Sequence, residues 1–266
     1  MSRLSAITLG LVAFAGTAQA QEPRPLCADR PGLGTPACTV DAGRTVVELG
    51  GADWTLDQDS AQRSDTLIAG DLLIRHGVTP NLEIQAGWTA FGTVRTRDKA
   101  SGTVSRSSGV GDITLAARYN LSNPDGSGFS AAIMPYATLP TGGEAIGAGD
   151  WGAGLILPIS YSLNDTIGIA LTPAIDAAVD GDRQGRHLAY GSVIGLSAAL
   201  SDSVSAALEA QMTRDEDPAG HTTQTLASLS FAWVSGDTLQ LDAGAVAGLN
   251  AASPDIGLYF GITRRF

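Results

Sequence analysis

Charged side chains recur at alternate positions along short apolar stretches of this 266-residue chain, and that spacing limits the chemistry they can do. On one parity fall the acids Glu48, Asp71, Glu83, Asp112, Asp176, Glu209 and Asp242, together with Arg75, Arg118 and Arg265. A strand sends alternate side chains to opposite faces, so this set shares one side of a wall. Carboxylates and guanidiniums enclosed by protein must be paired or hydrated. The expectation is a group of cross-strand ion-pair networks lining an interior, either as internal struts or as a selectivity device.

Nucleophilic chemistry has little to work with. The histidines are His76, His187 and His221, and the chain lacks a G-x-S-x-G nucleophile elbow. His187 and Ser192 share one alternating segment, but their odd separation puts them on opposite faces. At about 3.3 Å per residue they are also beyond hydrogen-bond reach. Gly109-Val-Gly-Asp112 lacks the third glycine of a dinucleotide loop and enters a strand pattern rather than a helix. No catalytic, cofactor or metal residue is expected. A barrel-embedded hydrolase whose nucleophile comes from a neighbouring strand is the enzymatic alternative. The net charge of −11 argues against nucleic acid as a partner.

The elements that must position these charges are strands. Leu82, Ile84, Ala86 and Trp88 alternate with Glu83, Gln85 and Gly87. Leu208, Ala210 and Met212 alternate with Glu209 and Gln211, and Leu239, Leu241 and Ala243 with Gln240 and Asp242. The last segment alternates Ile256, Leu258, Phe260 and Ile262 with Gly257, Tyr259, Gly261 and Thr263, and the chain stops on Phe266. A closing strand of this kind looks like the end of a bacterial outer-membrane barrel, the feature that barrel-insertion machinery would engage. Short connections at 77–81, 122–127, 162–165, 201–203 and 235–237 alternate with longer ones at 57–64, 96–108, 140–150, 180–186, 215–221 and 250–255. Short periplasmic turns and longer outer loops are the asymmetry of such barrels. The count implies about twelve strands with both ends of the barrel domain periplasmic.

The fold class expected is therefore all-β, a transmembrane antiparallel up-and-down barrel over residues 44–266. A soluble sandwich shares the same period. Against it stand the Gly, Ala and Ser on the second face, the even strand number and the terminal aromatic. Tyr119, Phe129, Tyr161, Phe231, Trp233 and Phe266 sit beside short turns, as interfacial aromatics do. Trp54, Phe91, Leu67, Leu73, Ile156 and Val246 fall on the inward parity, and Pro135, Pro158 and Pro173 interrupt strand patterns.

Residues 1–20 read as a secretory signal: Arg3, an apolar run, and Ala18-Gln19-Ala20 as the cleavage site. Export together with the closing strand points to the outer membrane of a Gram-negative cell. Residues 21–43 form a periplasmic segment carrying Cys27 and Cys38, which an oxidising compartment would join in a disulfide. This segment is expected either to plug or cap the lower mouth or to remain an untethered leader.

Three segments carry a resemblance: Arg30-Pro-Gly-Leu-Gly-Thr-Pro-Ala-Cys-Thr-Val-Asp-Ala-Gly-Arg44, Gly109-Val-Gly-Asp-Ile-Thr-Leu-Ala-Ala-Arg-Tyr-Asn-Leu121 and Pro135-Tyr-Ala-Thr-Leu-Pro-Thr-Gly142. They resemble the outer-membrane β-barrel family named for the meta-pathway of phenol degradation, described as transporters. The resemblance implies a channel for passive passage of small molecules, including aromatic or hydrophobic compounds, with outer-membrane lipid and the solute as partners. It supplies no catalytic residue. A structural or surface-binding barrel without an open channel is the alternative.

Overall fold

The computed structural model describes residues 24–143 and 145–266; the expected signal sequence, residues 1–20, lies outside the described residues. The alternating segments form fourteen strands: β1 (Thr45–Gln58), β2 (Gln62–Thr79), β3 (Leu82–Asp98), β4 (Val104–Gly109), β5 (Ile113–Ser122), β6 (Phe129–Leu139), β7 (Gly152–Ile156), β8 (Ile159–Ser162), β9 (Ile167–Val179), β10 (Arg186–Ala199), β11 (Val204–Asp215), β12 (Thr222–Ser235), β13 (Leu239–Gly248) and β14 (Ile256–Arg265). Neighbouring strands in the sheet pair antiparallel, and β14 pairs back onto β1, Val46 opposite Arg265 and Leu56 opposite Ile256. The sheet therefore has no free edge, which is what lets β-structure exist in lipid. β4 and β5 hold one register along β3 and form a single wall strand, and β7 and β8 do the same along β6 and β9. The result is a closed twelve-strand antiparallel barrel.

Burial is inverted relative to a water-soluble protein. Arg75, Arg118 and Glu83 are fully enclosed, whereas Leu208, Leu229, Phe260 and Phe266 are exposed. Charged residues almost never bury completely unless paired, so this pattern belongs to a wall whose outer face meets hydrocarbon. Tyr119, Phe129, Tyr161, Phe231 and Trp233 are exposed beside the short turns, and Trp151 and Tyr190 near the longer loops.

Three departures from simple alternation have local causes. The register of β1 against β14 shifts between Gly50 and Ala52. The β1–β2 and β2–β3 ladders set the extra residues Gly51, Gly70 and Ala90 side by side. Gly70 takes φ +70°, a conformation that a residue with a Cβ adopts at a cost. This bulge line flips the parity of all three strands. Trp54 and Phe91, which alternation alone turns toward the lumen, face outward: Trp54 lies opposite Leu258 and Leu67, and Phe91 opposite Ala69. Leu67 moves outward with them, and Asp53 turns inward within reach of Arg30 and Asp71.

Proline explains the second departure. Pro158 ends β7 and separates it from β8 without changing register; the Leu157 amide bonds Pro173 O and the Ala132 amide bonds Pro158 O. Third, the stretch 96–108, expected as a loop, is mostly strand: β3 runs to Asp98 and turns back as β4, pairing Arg97 with Val104 and Arg95 with Arg106.

Candidate functional site

The enclosed charges do not pair only with one another. Residues 24–43 lie inside the barrel at the short-turn end, and the wall's inward side chains bond their backbone. Glu48 of β1 accepts the Asp29 and Arg30 amides at 2.9 Å each. Glu209 of β11 accepts the Leu33 amide at 2.7 Å and the Gly34 amide at 3.0 Å. Glu83 of β3 accepts the Val40 amide at 2.6 Å. Asn120 of β5 donates to Ala37 O at 2.8 Å, and Gln240 of β13 to Arg30 O at 2.8 Å. Thr172 of β9 meets Thr35. A backbone taken out of water needs such partners, and here the strands supply them from around the circumference.

Arginines tie this segment to the wall, three from the strands and one from the segment itself. Arg75 forks onto Glu83, Nε to Oε1 at 3.0 Å and Nη2 to Oε2 at 3.1 Å, while its Nη1 reaches Glu48 at 3.0 Å and donates to Cys27 O at 2.7 Å. Arg118 Nη2 meets Asp29 Oδ1 at 2.7 Å, and its Nη1 donates to Cys38 O at 3.1 Å. Both guanidiniums thus hold one half of the Cys27–Cys38 disulfide, which closes with its Cα atoms 6.1 Å apart. Arg265 Nη1 donates to Arg24 O at 2.6 Å and lies 3.5 Å from Asp41. Arg30 runs the other way, from the segment to Asp242 of β13 at 3.1 Å, with its guanidinium over the Tyr259 ring.

The remaining inward acids lie above this layer. Asp71 accepts the Thr89 hydroxyl at 2.8 Å across β2 and β3. Asp176 of β9 accepts the Tyr136 hydroxyl of β6 over Gly154, where any side chain would collide with both. Asp112 receives the Gly142 and Ala148 amides at 2.7 Å each. That pair draws Gly142 and Ala148 inward. Ile146 then packs on Gly92 of β3, so close that a Cβ there would sit 2.4 Å from Ile146 Cδ1. The Gly109–Asp112 and Leu139–Gly142 motifs therefore meet at one place, with the Asp112 carboxylate as the joint.

The ten charges assigned to one parity meet the partners named above, but several participants were hidden in the sequence, Arg24, Arg30 and Asp41 among them. Asp29 precedes every strand, so period 2 does not reach it. Asp53 changes face only because of the bulge. Cavities of about 140 Å³ and about 220 Å³ persist between residues 26–38 and the β9–β13 wall; Gly34, Thr172 and Glu209 border the smaller, and Cys27, Ser230 and Gln240 the larger.

A closed barrel with an apolar outer face and an ion-paired interior defines an integral outer-membrane β-barrel protein. Residues 28–266 match the model of the family described as "Putative MetA-pathway of phenol degradation", and the chain belongs to that family. No curated protein matched in sequence. Among solved structures, the chain is similar to the translocator domain of the autotransporter NalP from Neisseria meningitidis (15% identity, TM-score 0.50, covering 84% of this chain and 88% of that one). It is also similar to the transport unit of the autotransporter AIDA-I from Escherichia coli (10% identity, TM-score 0.50, 84% and 89% covered). The CymD monoaromatic hydrocarbon channel aligns at 10% identity with a TM-score of 0.47, covering 85% of this chain and 89% of that one. At these identities the likeness is one of fold.

Proposed function

We propose that this protein is a gated outer-membrane channel for small molecules, aromatic or hydrophobic compounds among them, with residues 24–43 as its plug. The observation that carries the reading is how the segment is held. It is bonded to inward Glu48, Glu83, Asn120, Thr172, Glu209 and Gln240 through its own backbone and polar groups. Polar contacts of this kind can be exchanged for water, at a net of about 1 kcal/mol for a neutral hydrogen bond and about 1.5–3 kcal/mol for one to a charged group, so a plug held this way can shift without unfolding the wall. A plug fused to the wall by apolar packing would not have that freedom. The cavities beside it give a displaced segment room to move. Above it, the Asp112-anchored connection with Ile146 narrows the outer mouth. Passage is passive in this account, and no residue acts on the solute chemically.

The proposal extends to its setting. Residues 1–20 direct export and are removed, the barrel inserts into the Gram-negative outer membrane through the strand ending at Phe266, and the short turns face the periplasm. The family's description favours an aromatic solute. The test is growth or uptake on a panel of aromatic and aliphatic compounds in cells with and without the protein. Faster entry of small aromatic compounds supports the reading; identical uptake across the panel contradicts it and favours a structural barrel.

A further inference from the structure

Four arginines gather on the outward face of the barrel just above its apolar belt. Across β1, β2, β3 and β4 one row reads Leu56, Asp65, Arg95, Arg106, and the next reads Gln58, Arg63, Arg97, Val104. Residues directly opposite on antiparallel strands share a face. The face is fixed by Trp54 and Leu56, which lie opposite Leu258 and Ile256 on the lipid side of β14. Arg63 therefore opposes Arg97, and Arg95 opposes Arg106, with Asp65 as the acid in the block. Asp65 sits 2.8 Å from Arg63 and 3.6 Å from Arg95. Like charges directly opposed across strands destabilise a sheet. Asp65 answers only Arg63 and Arg95; among the described residues Arg97 and Arg106 have no acid partner, so the block leaves room for an external anion.

Height says where that anion is. On β3 the outward residues from Leu82 through Trp88 and Phe91 to Thr93 span roughly 36 Å of strand, or about 28 Å of height at a tilt of about 40°. The apolar band of such barrels is about 25 Å tall. Arg95 and Arg97 are the next two outward positions, so they stand at the headgroup level on the long-loop side. Guanidiniums bind phosphate oxygens in bidentate fashion, and planar forks on neighbouring strands can share one phosphate group.

We infer that Arg63, Arg95, Arg97 and Arg106 form a binding site for the phosphate groups of a phosphorylated glycolipid in the outer leaflet. The site rests on the outer-membrane placement proposed above but not on transport, so a barrel without flux leaves it standing. The test uses the full-length protein in neutral detergent, with folding followed by heat-modifiable migration. The probes are diphosphoryl lipid A, the same lipid stripped of phosphate, and inorganic phosphate. Wild type should retain diphosphoryl lipid A about tenfold more tightly than R95Q/R97Q does. The stripped lipid should bind both proteins equally weakly, and inorganic phosphate should not displace the intact lipid. In lipid-free detergent R95Q/R97Q should melt no lower than wild type, because both opposed charge pairs are gone. Equal retention by wild type and variant overturns the site. Phosphate-independent retention, or displacement by inorganic phosphate at millimolar concentration, overturns the assignment to a glycolipid.

Discussion

At the scale of single residues, Asp29 is the unforeseen centre of the interior. Its carboxylate receives Arg118 at 2.7 Å and lies 3.4 Å from Arg75, linking two wall strands to the segment 24–43. Removing one partner from a buried ion pair leaves an uncompensated charge and costs about 3–5 kcal/mol. Arg118→Ala should therefore lower the thermal midpoint and raise solute leak, because it also frees Cys38 O. Asp29→Asn should do the same, and the double variant should cost clearly less than the two losses added. Additivity in thermal denaturation would show that the two groups act independently. Parity alone sorts Glu48, Glu83, Arg75 and Arg118 to the interior. It is silent on their partners, because the bonds that complete them come from a segment without periodicity.

The elements show the same division. Strands whose outward set is Leu, Ile and aromatic can be read by eye, and β11, β13 and β14 needed nothing more. The bulge through Gly51, Gly70 and Ala90 was not readable, since nothing local marks Gly51 and Gly70 among the chain's 33 glycines or sets Ala90 apart from its neighbours. Its signal was indirect: Trp54, Phe91 and Leu67 sat on the wrong parity together. The 99–103 turn was likewise hidden, because polar β4 looks like a loop until it is paired with β3.

Closing a loop of this size by a disulfide is worth on the order of 2–3 kcal/mol in the chain-entropy model. Cys27→Ser with Cys38→Ser, or reductant, should thus raise small-solute flux while leaving barrel migration on gels unchanged; unaltered flux would mean that the plug does not depend on its crosslink. In the outer loops, the Ala219 and Gly181 amides hold the Asp217 carboxyl below its ordinary value, with His187 and His221 adding to the effect against slight burial. A depressed carboxylate stabilises its loop above the ordinary carboxylate range and loses that contribution as pH falls through the lowered value. Amide protection at Gly181 and Ala219, corrected for intrinsic exchange, should fall on acidification. In Asp217→Asn it should already be low at neutral pH, and a flat profile in the wild type would contradict the link.

For the molecule as a whole, closure decides the rest. Twelve strands enclose an interior between the filled eight-strand type and the open channels of sixteen or more, so what lies inside sets what passes. The alternation, turn lengths and terminal Phe266 made the barrel legible. Whether the lumen was open was not legible, because the answer lies in residues 24–43 and in Ile146, held by contacts far apart in sequence. The central claim is that residues 24–43 gate this lumen. Its most direct test is liposome swelling with a small aromatic solute, comparing wild type with a barrel lacking residues 21–43 and confirmed folded by gel migration. The account predicts slow flux through the wild type and a several-fold increase on deletion. Equal rates from the two proteins would contradict it.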